Sequence, residues 1–126
     1  MIIRYTQWVL RVAAILALIL GLLTWFGIDV VVNIHMILGI IVVLSLWVLG
    51  GTFLTVKGGV PLGIIAIIWG LIVVALGMTQ TSILPDTSIH WIIQIIHLLV
   101  GLAAIGLGEA IGGRYKRQSA AATMQV

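Results

Sequence analysis

Four stretches without a single Asp, Glu, Lys or Arg divide this chain: between Arg11 and Asp29, between Asp29 and Lys57, between Lys57 and Asp86, and between Asp86 and Glu109. A hydrocarbon layer about 30 Å thick is crossed by about 20 apolar residues of helix, whose backbone groups bond within their own segment. The pattern therefore predicts four membrane-spanning helices. With 126 residues, 63% of them hydrophobic, only 7% charged and a mean hydropathy of +1.36, the chain carries more apolar surface than a core surrounded by water would bury.

The predicted spans cover about 8–27, 30–55, 61–79 and 89–111, within one transmembrane domain, 1–126. Two arginines precede the first apolar run as in a secretion signal, but L-T-W-F-G-I-D lacks a small-x-small cleavage pattern, so the run is kept as a helix. Gly27 suits its end, and Asp29 is expected to cap the second helix. Pro61 fits a first helical turn. Asp86, Thr87 or Ser88 is expected to cap the fourth helix, which should stop at Gly112-Gly113 and leave 114–126 as a mobile cytoplasmic tail. The connections are short, so the expected fold is all-α, an integral-membrane up-down-up-down four-helix bundle.

Arg4, Arg11, Lys57, Arg114, Lys116 and Arg117 all fall on one side of such a bundle, with Asp29 and Asp86 on the other. The positive-inside rule then implies a multi-pass protein of the plasma (inner) membrane with both termini cytoplasmic. A net charge of +3 concentrated near the termini fits this topology, and no nucleic-acid module is visible. The absence of cysteine excludes disulfides, thiolate zinc sites, iron–sulfur clusters and covalently attached c-type haem.

Two segments resemble each other, V-N-I-H-M-I-L-G from Val32 and I-Q-I-I-H-L-L-V-G from Ile93. In each a glycine follows the histidine by four residues, Gly39 after His35 and Gly101 after His97. Gly-Gly pairs follow further on, at Gly50-Gly51 and Gly112-Gly113, and all three features recur at one offset of 62 residues. The bundle is thus expected to consist of two parallel two-helix repeats. The second and fourth helices would face each other diagonally, with His35 and His97 about 9 and about 13 Å down from the outer face.

Ionisable side chains inside a membrane are costly and mark function by default. Neutral imidazoles ligate iron well, each bonding through one nitrogen and donating the other N–H, here expected to the carbonyl four residues earlier at Val31 or Ile93. Gly39 and Gly101 would leave room for a flat ligand. The plainer alternative has the histidines hydrogen-bonding across the core and the glycines serving close helix packing. His90 could meet a polar group of the ligand, a quinone head or water. The outer side has no Lys or Arg for haem propionates, whose charge would rest on helix N-termini and on Thr87, Ser88 or His90. Asn33 and Gln94 stand near the two histidines. Glu109 is expected to pair with Arg11 on the neighbouring first helix. Trp8, Trp25 and Trp91 should lie at the interfaces, with Trp47 and Trp69 packed deeper.

The two His-x-x-x-Gly elements on parallel spans resemble small four-helix transmembrane b-type cytochromes, of the cytochrome b561-like or respiratory membrane-anchor kind. The resemblance implies one non-covalent haem b, with His35 and His97 as axial ligands and Gly39, Gly101 and His90 around it. It also implies one-electron transfer with a membrane quinone or an external redox protein. Those families often hold two haems, for which three histidines cannot supply two pairs. With both axial positions filled, an electron-transfer protein is expected rather than an enzyme acting at the metal. No nucleophile with its base, carboxylate pair or phosphate loop is present. The alternatives of another class are a structural or assembly subunit of a membrane complex, embedded in the lipid bilayer, and a small transporter.

Overall fold

The computed structural model describes residues 1–83, 85 and 88–124. It is all-helical: α1 (Ile2–Trp25), a single 3-10 turn (Asp29–Val31), α2 (Val32–Leu54), α3 (Val60–Thr79) and α4 (His90–Met124). All four α-helices are long and apolar enough to cross a membrane, with mean hydropathies of 2.0 to 2.6 over their most apolar windows. Consecutive helices pack side by side, α4 also contacts α1, and α2 touches α4. Among the described residues α1 and α3 make no contact, so the four helices form a bundle in which α2 and α4 meet across the middle.

Gly27 ends α1 as expected, with φ 88°, and Pro61 sits in the first turn of α3. Three boundaries differ. No breaker interrupts Ile2–Trp8, so α1 starts at Ile2 rather than near residue 8. Asp29 lies inside the 3-10 turn and caps nothing with its side chain. The third difference is α4, which runs through Gly112-Gly113 to Met124, making 114–124 helical where a separate tail was expected. The reason is contact: Gly112 lies so close to the Gln7 amide of α1 that a Cβ would overlap it, and neither glycine has the positive φ that ends a helix. Gly112 is a packing glycine rather than a stop. The expected caps Asp86 and Thr87 lie outside the described residues.

The interior is filled unevenly. Leu10, Leu46, Leu49, Phe53 and Ile111 are fully buried among Ala13, Ala14, Ala66 and Ala104. Every buried residue of α2 lies at or beyond Val42, every one of α4 at or beyond Ala104, and none of α1 lies beyond Ala17. One end of the bundle is therefore close-packed. The other, which holds the first ten residues of α2 and the first fourteen of α4, has no fully buried side chain. Large apolar residues such as Ile15, Ile40, Ile68 and Leu99 instead point outward, as a lipid-facing surface requires.

Backbones meet at glycines in the packed end. A Cβ on Gly63 would stand 2.7 Å from the Gly50 carbonyl oxygen, and one on Gly50 would stand 3.0 Å from that of Gly63. This contact cannot yield as a flexible side chain would. Gly63→Ala is expected to cost about 1–3 kcal/mol by overpacking. Gly113→Ala, whose nearest new neighbour is Arg117 Nη1 at 4.0 Å, is expected to be neutral or to gain up to about 1 kcal/mol in helix propensity. Unfolding of the two variants in detergent, followed by helical circular dichroism, measures the difference.

Candidate functional site

His35 in the first turn of α2 and His97 in the second turn of α4 meet in the open half of the bundle. Their ring centroids are 6.1 Å apart and the ring planes are inclined by 59°. The two histidines singled out by the sequence repeat, 62 residues apart, are thus brought together.

His35 Nδ1 lies 2.8 Å from the Ala17 carbonyl oxygen. A carbonyl can only accept, so Nδ1 carries the hydrogen and the ring's free lone pair is on Nε2. The acceptor comes from the neighbouring helix α1, not from Val31 within α2. It is reachable because Gly21, one turn on from Ala17, has no side chain: a Cβ there would stand 3.0 Å from His35 Cε1 and 3.3 Å from Nδ1. Gly21 and the Ala17 carbonyl are therefore site residues that sequence reasoning missed. The available signal was the small-residue run Ala14, Ala17, Gly21, which reads equally well as ordinary packing.

On the other side a Cβ at Gly77 of α3 would stand 3.5 Å from His97 Cε1. His97 Nδ1 is buried and has no hydrogen-bond partner; the expected carbonyl of Ile93 does not serve it. Gly39 and Gly101, one turn beyond each histidine, face open space, with nothing within 4 Å of a Cβ.

The remaining polar residues divide among other tasks. His90 opens α4 half-buried, its Nδ1 3.2 Å from the Ile83 carbonyl oxygen, a bond that ties the α3–α4 connection to the helix start. Asn33 is exposed and Gln94 half-buried, and neither is hydrogen-bonded among the described residues. Ser88 is exposed, and Thr87 lies outside the described residues. In the packed end the expected pair is present: Arg11 donates through Nε to Glu109 Oε1 and through Nη2 to Oε2 at 2.6 Å. Gln7 joins it, Nε2 donating to Glu109 Oε2 at 3.0 Å, and the Trp8 ring lies 5.4 Å from the guanidinium. Trp47 and Trp69 donate their indole N–H to the carbonyls of Ile67 and Val100 on neighbouring helices, at 3.1 and 3.0 Å.

The donor set limits the ligand. Among the described residues no group of three or more His, Cys, Asp or Glu side chains assembles, so the tetrahedral protein cage that zinc requires has no counterpart. Two imidazoles suffice for a metal that arrives with its other ligands in place, and an iron porphyrin is such a metal. The observations that bear on such a group are the two imidazoles 6.1 Å apart and the buried, unpartnered His97 Nδ1.

The two glycines against the rings differ in tolerance. Gly21→Ala is expected to displace the His35 ring and weaken its bond to Ala17, a loss of about 0.6 kcal/mol or more by the usual worth of interhelical bonds in membranes. Gly77→Ala adds only an ordinary van der Waals contact. In ¹⁵N-histidine NMR spectra of the metal-free protein, the Nδ1–H signal of His35 should move or vanish in the first variant and persist in the second.

The chain matches no family model, no curated protein and no solved structure, so the chemistry of the histidine pair is read from its own residues.

Proposed function

We propose that this protein is a membrane-embedded b-type cytochrome that holds one haem b between His35 and His97 and passes single electrons. The carrying observation is the 6.1 Å approach of two imidazoles from different helices in the half of the bundle that has no fully buried side chain. Bound haem supplies one-electron redox chemistry. His35, oriented by the Ala17 carbonyl and backed by Gly21, presents Nε2; His97, backed by Gly77, completes the pair. Of the four spans α4 is the least buried, 11% against 39% for that containing α2, so it is the helix freest to adjust around a ligand.

The expected two-repeat, up-down architecture belongs to this proposal, and contacts support it. Between α1 and α3 equivalent positions differ by 56 residues, and between α2 and α4 by 62. With these offsets Gly21 on His35 corresponds to Gly77 on His97, and Gly50 on Gly63 corresponds to Gly112 on Gln7. Likewise Trp47 bonded to Ile67 corresponds to Glu109 bonded to Arg11. A pseudo-two-fold axis relating the two hairpins would pass between His35 and His97, because the two are equivalent and touch each other. A ligand on that axis would be held by His35 from one hairpin and His97 from the other. The termini and all six Lys and Arg residues are assigned to the cytoplasmic face of the plasma membrane, with the haem layer nearer the other face. A membrane quinone or an external redox protein would exchange electrons with it, and His90 lies about 10 Å further out along α4.

Two measurements test this reading. Protein expressed with ample haem should purify with about one haem b per chain and, once reduced, sharp visible bands. His35→Ala or His97→Ala should abolish them and His90→Ala should leave them. A folded, colourless protein that refuses added haem would instead favour a structural subunit with histidines as packing groups. For topology, single cysteines at Thr81 and Ser119 are expected to differ toward an impermeant thiol reagent on intact cells, the first labelled and the second protected. The reverse result would place the haem in the cytoplasmic half.

A further inference from the structure

Two grooves mark the surface of the bundle, and the same offsets relate them. One, of about 290 Å³ between α1 and α2, is lined by Val9, Ile41, Leu44 and Ser45, together with Tyr5 and Thr6. The other, of about 320 Å³ between α3 and α4, is lined at the equivalent positions by Ile65, Ala103, Gly106 and Leu107. Their volumes are similar, but their chemistry differs. The first carries three hydroxyls, whereas the second carries none and its Trp69 N–H is already bonded to Val100.

Ser45 stands out among these hydroxyls. Thr24, Thr52, Thr55, Thr79 and Thr123 each donate to a carbonyl three or four residues back, the usual way a helix satisfies a hydroxyl in an apolar setting. Ser45 is only 6% exposed, lines the groove, and makes no hydrogen bond among the described residues. A hydroxyl that opens from a buried residue onto hydrocarbon without a partner is unfavourable, and an acceptor entering the groove from the membrane would serve it. That acceptor must be lipid-soluble and have an apolar portion to lie along Val9, Ile41 and Leu44. Tyr5 and Thr6 belong to the first turns of α1, at the end of the bundle that carries Lys57 and the basic segment of α4. The proposed topology sets this end at the membrane surface, where lipid ester carbonyls meet the hydrocarbon.

We propose that the α1–α2 groove binds one diacyl glycerophospholipid, whose ester carbonyls accept hydrogen bonds from Ser45 and Thr6, while its equivalent between α3 and α4 contacts lipid without selecting it. The site does not depend on haem and is tested in protein with or without it. Delipidated protein is titrated, in native mass spectrometry, with diacyl phosphatidylglycerol and with the diether analogue of the same headgroup and chains, which lacks the carbonyls. One ester lipid should bind per chain about fivefold to tenfold more tightly than the diether, the span expected of one or two hydrogen bonds in a membrane setting. Ser45→Ala with Thr6→Val should bring the ester lipid down to the diether level, and Ser45→Thr should retain the preference. Melting followed by circular dichroism verifies that the variants are folded. Equal binding of ester and ether lipid, or an unchanged preference in the double variant, would overturn the proposal. So would displacement of the lipid, one for one, by an added isoprenoid quinone, which would assign the groove to that ligand.

Discussion

Hydrocarbon offers no partner to an N–H or O–H group, and the arrangement of this bundle follows from how each such group is served. Threonines turn back on their own helices, and both deep tryptophans reach a carbonyl on the neighbouring helix. Arg11 is neutralised by Glu109, with Gln7 holding the same carboxylate. His35 reaches across to α1. Against that background His97 Nδ1 and Gln118 Oε1 are buried without a partner among the described residues, and Ser45 lines a surface groove without one.

The two ends of the bundle have different work. At the packed end, glycine-mediated backbone contacts and the Arg11–Glu109–Gln7 cluster fix how α4 sits against α1 and α2 against α3. That end determines rotation and register. The other end, which holds His35 and His97, has no fully buried side chain and is tied laterally by the bond of His35 to the Ala17 carbonyl.

Charge-free runs alone identified four spans, because exclusion of charge from a bilayer is a one-dimensional signal. Gly27 and Pro61 were legible for a similar reason, since φ restrictions act on the residue itself. The repeated His-x-x-x-Gly spacing singled out two histidines whose rings the fold brings to 6.1 Å from each other. What sequence could not give was lateral. Gly112 reads as a helix stop until Gln7 is seen against it, and the Ala17 carbonyl cannot be distinguished from any other backbone oxygen until α1 is rotated toward His35. Gln7 carried only its spacing of four from Arg11. Asp29 met the usual pattern of a cap yet entered a 3-10 turn, a choice governed by the short link after Gly27 rather than by propensity.

Symmetry gives the histidine pair its meaning. If two equivalent hairpins face each other across an axis, a haem between them would be held by His35 from one hairpin and His97 from the other and would supply one-electron chemistry. Low-temperature electron paramagnetic resonance of the oxidised, haem-loaded protein tests this most directly. A low-spin ferric signal of bis-imidazole type, accounting for about one iron per chain, is the predicted result. A high-spin ferric signal would mean that at least one of His35 and His97 is not a ligand, and would contradict the account.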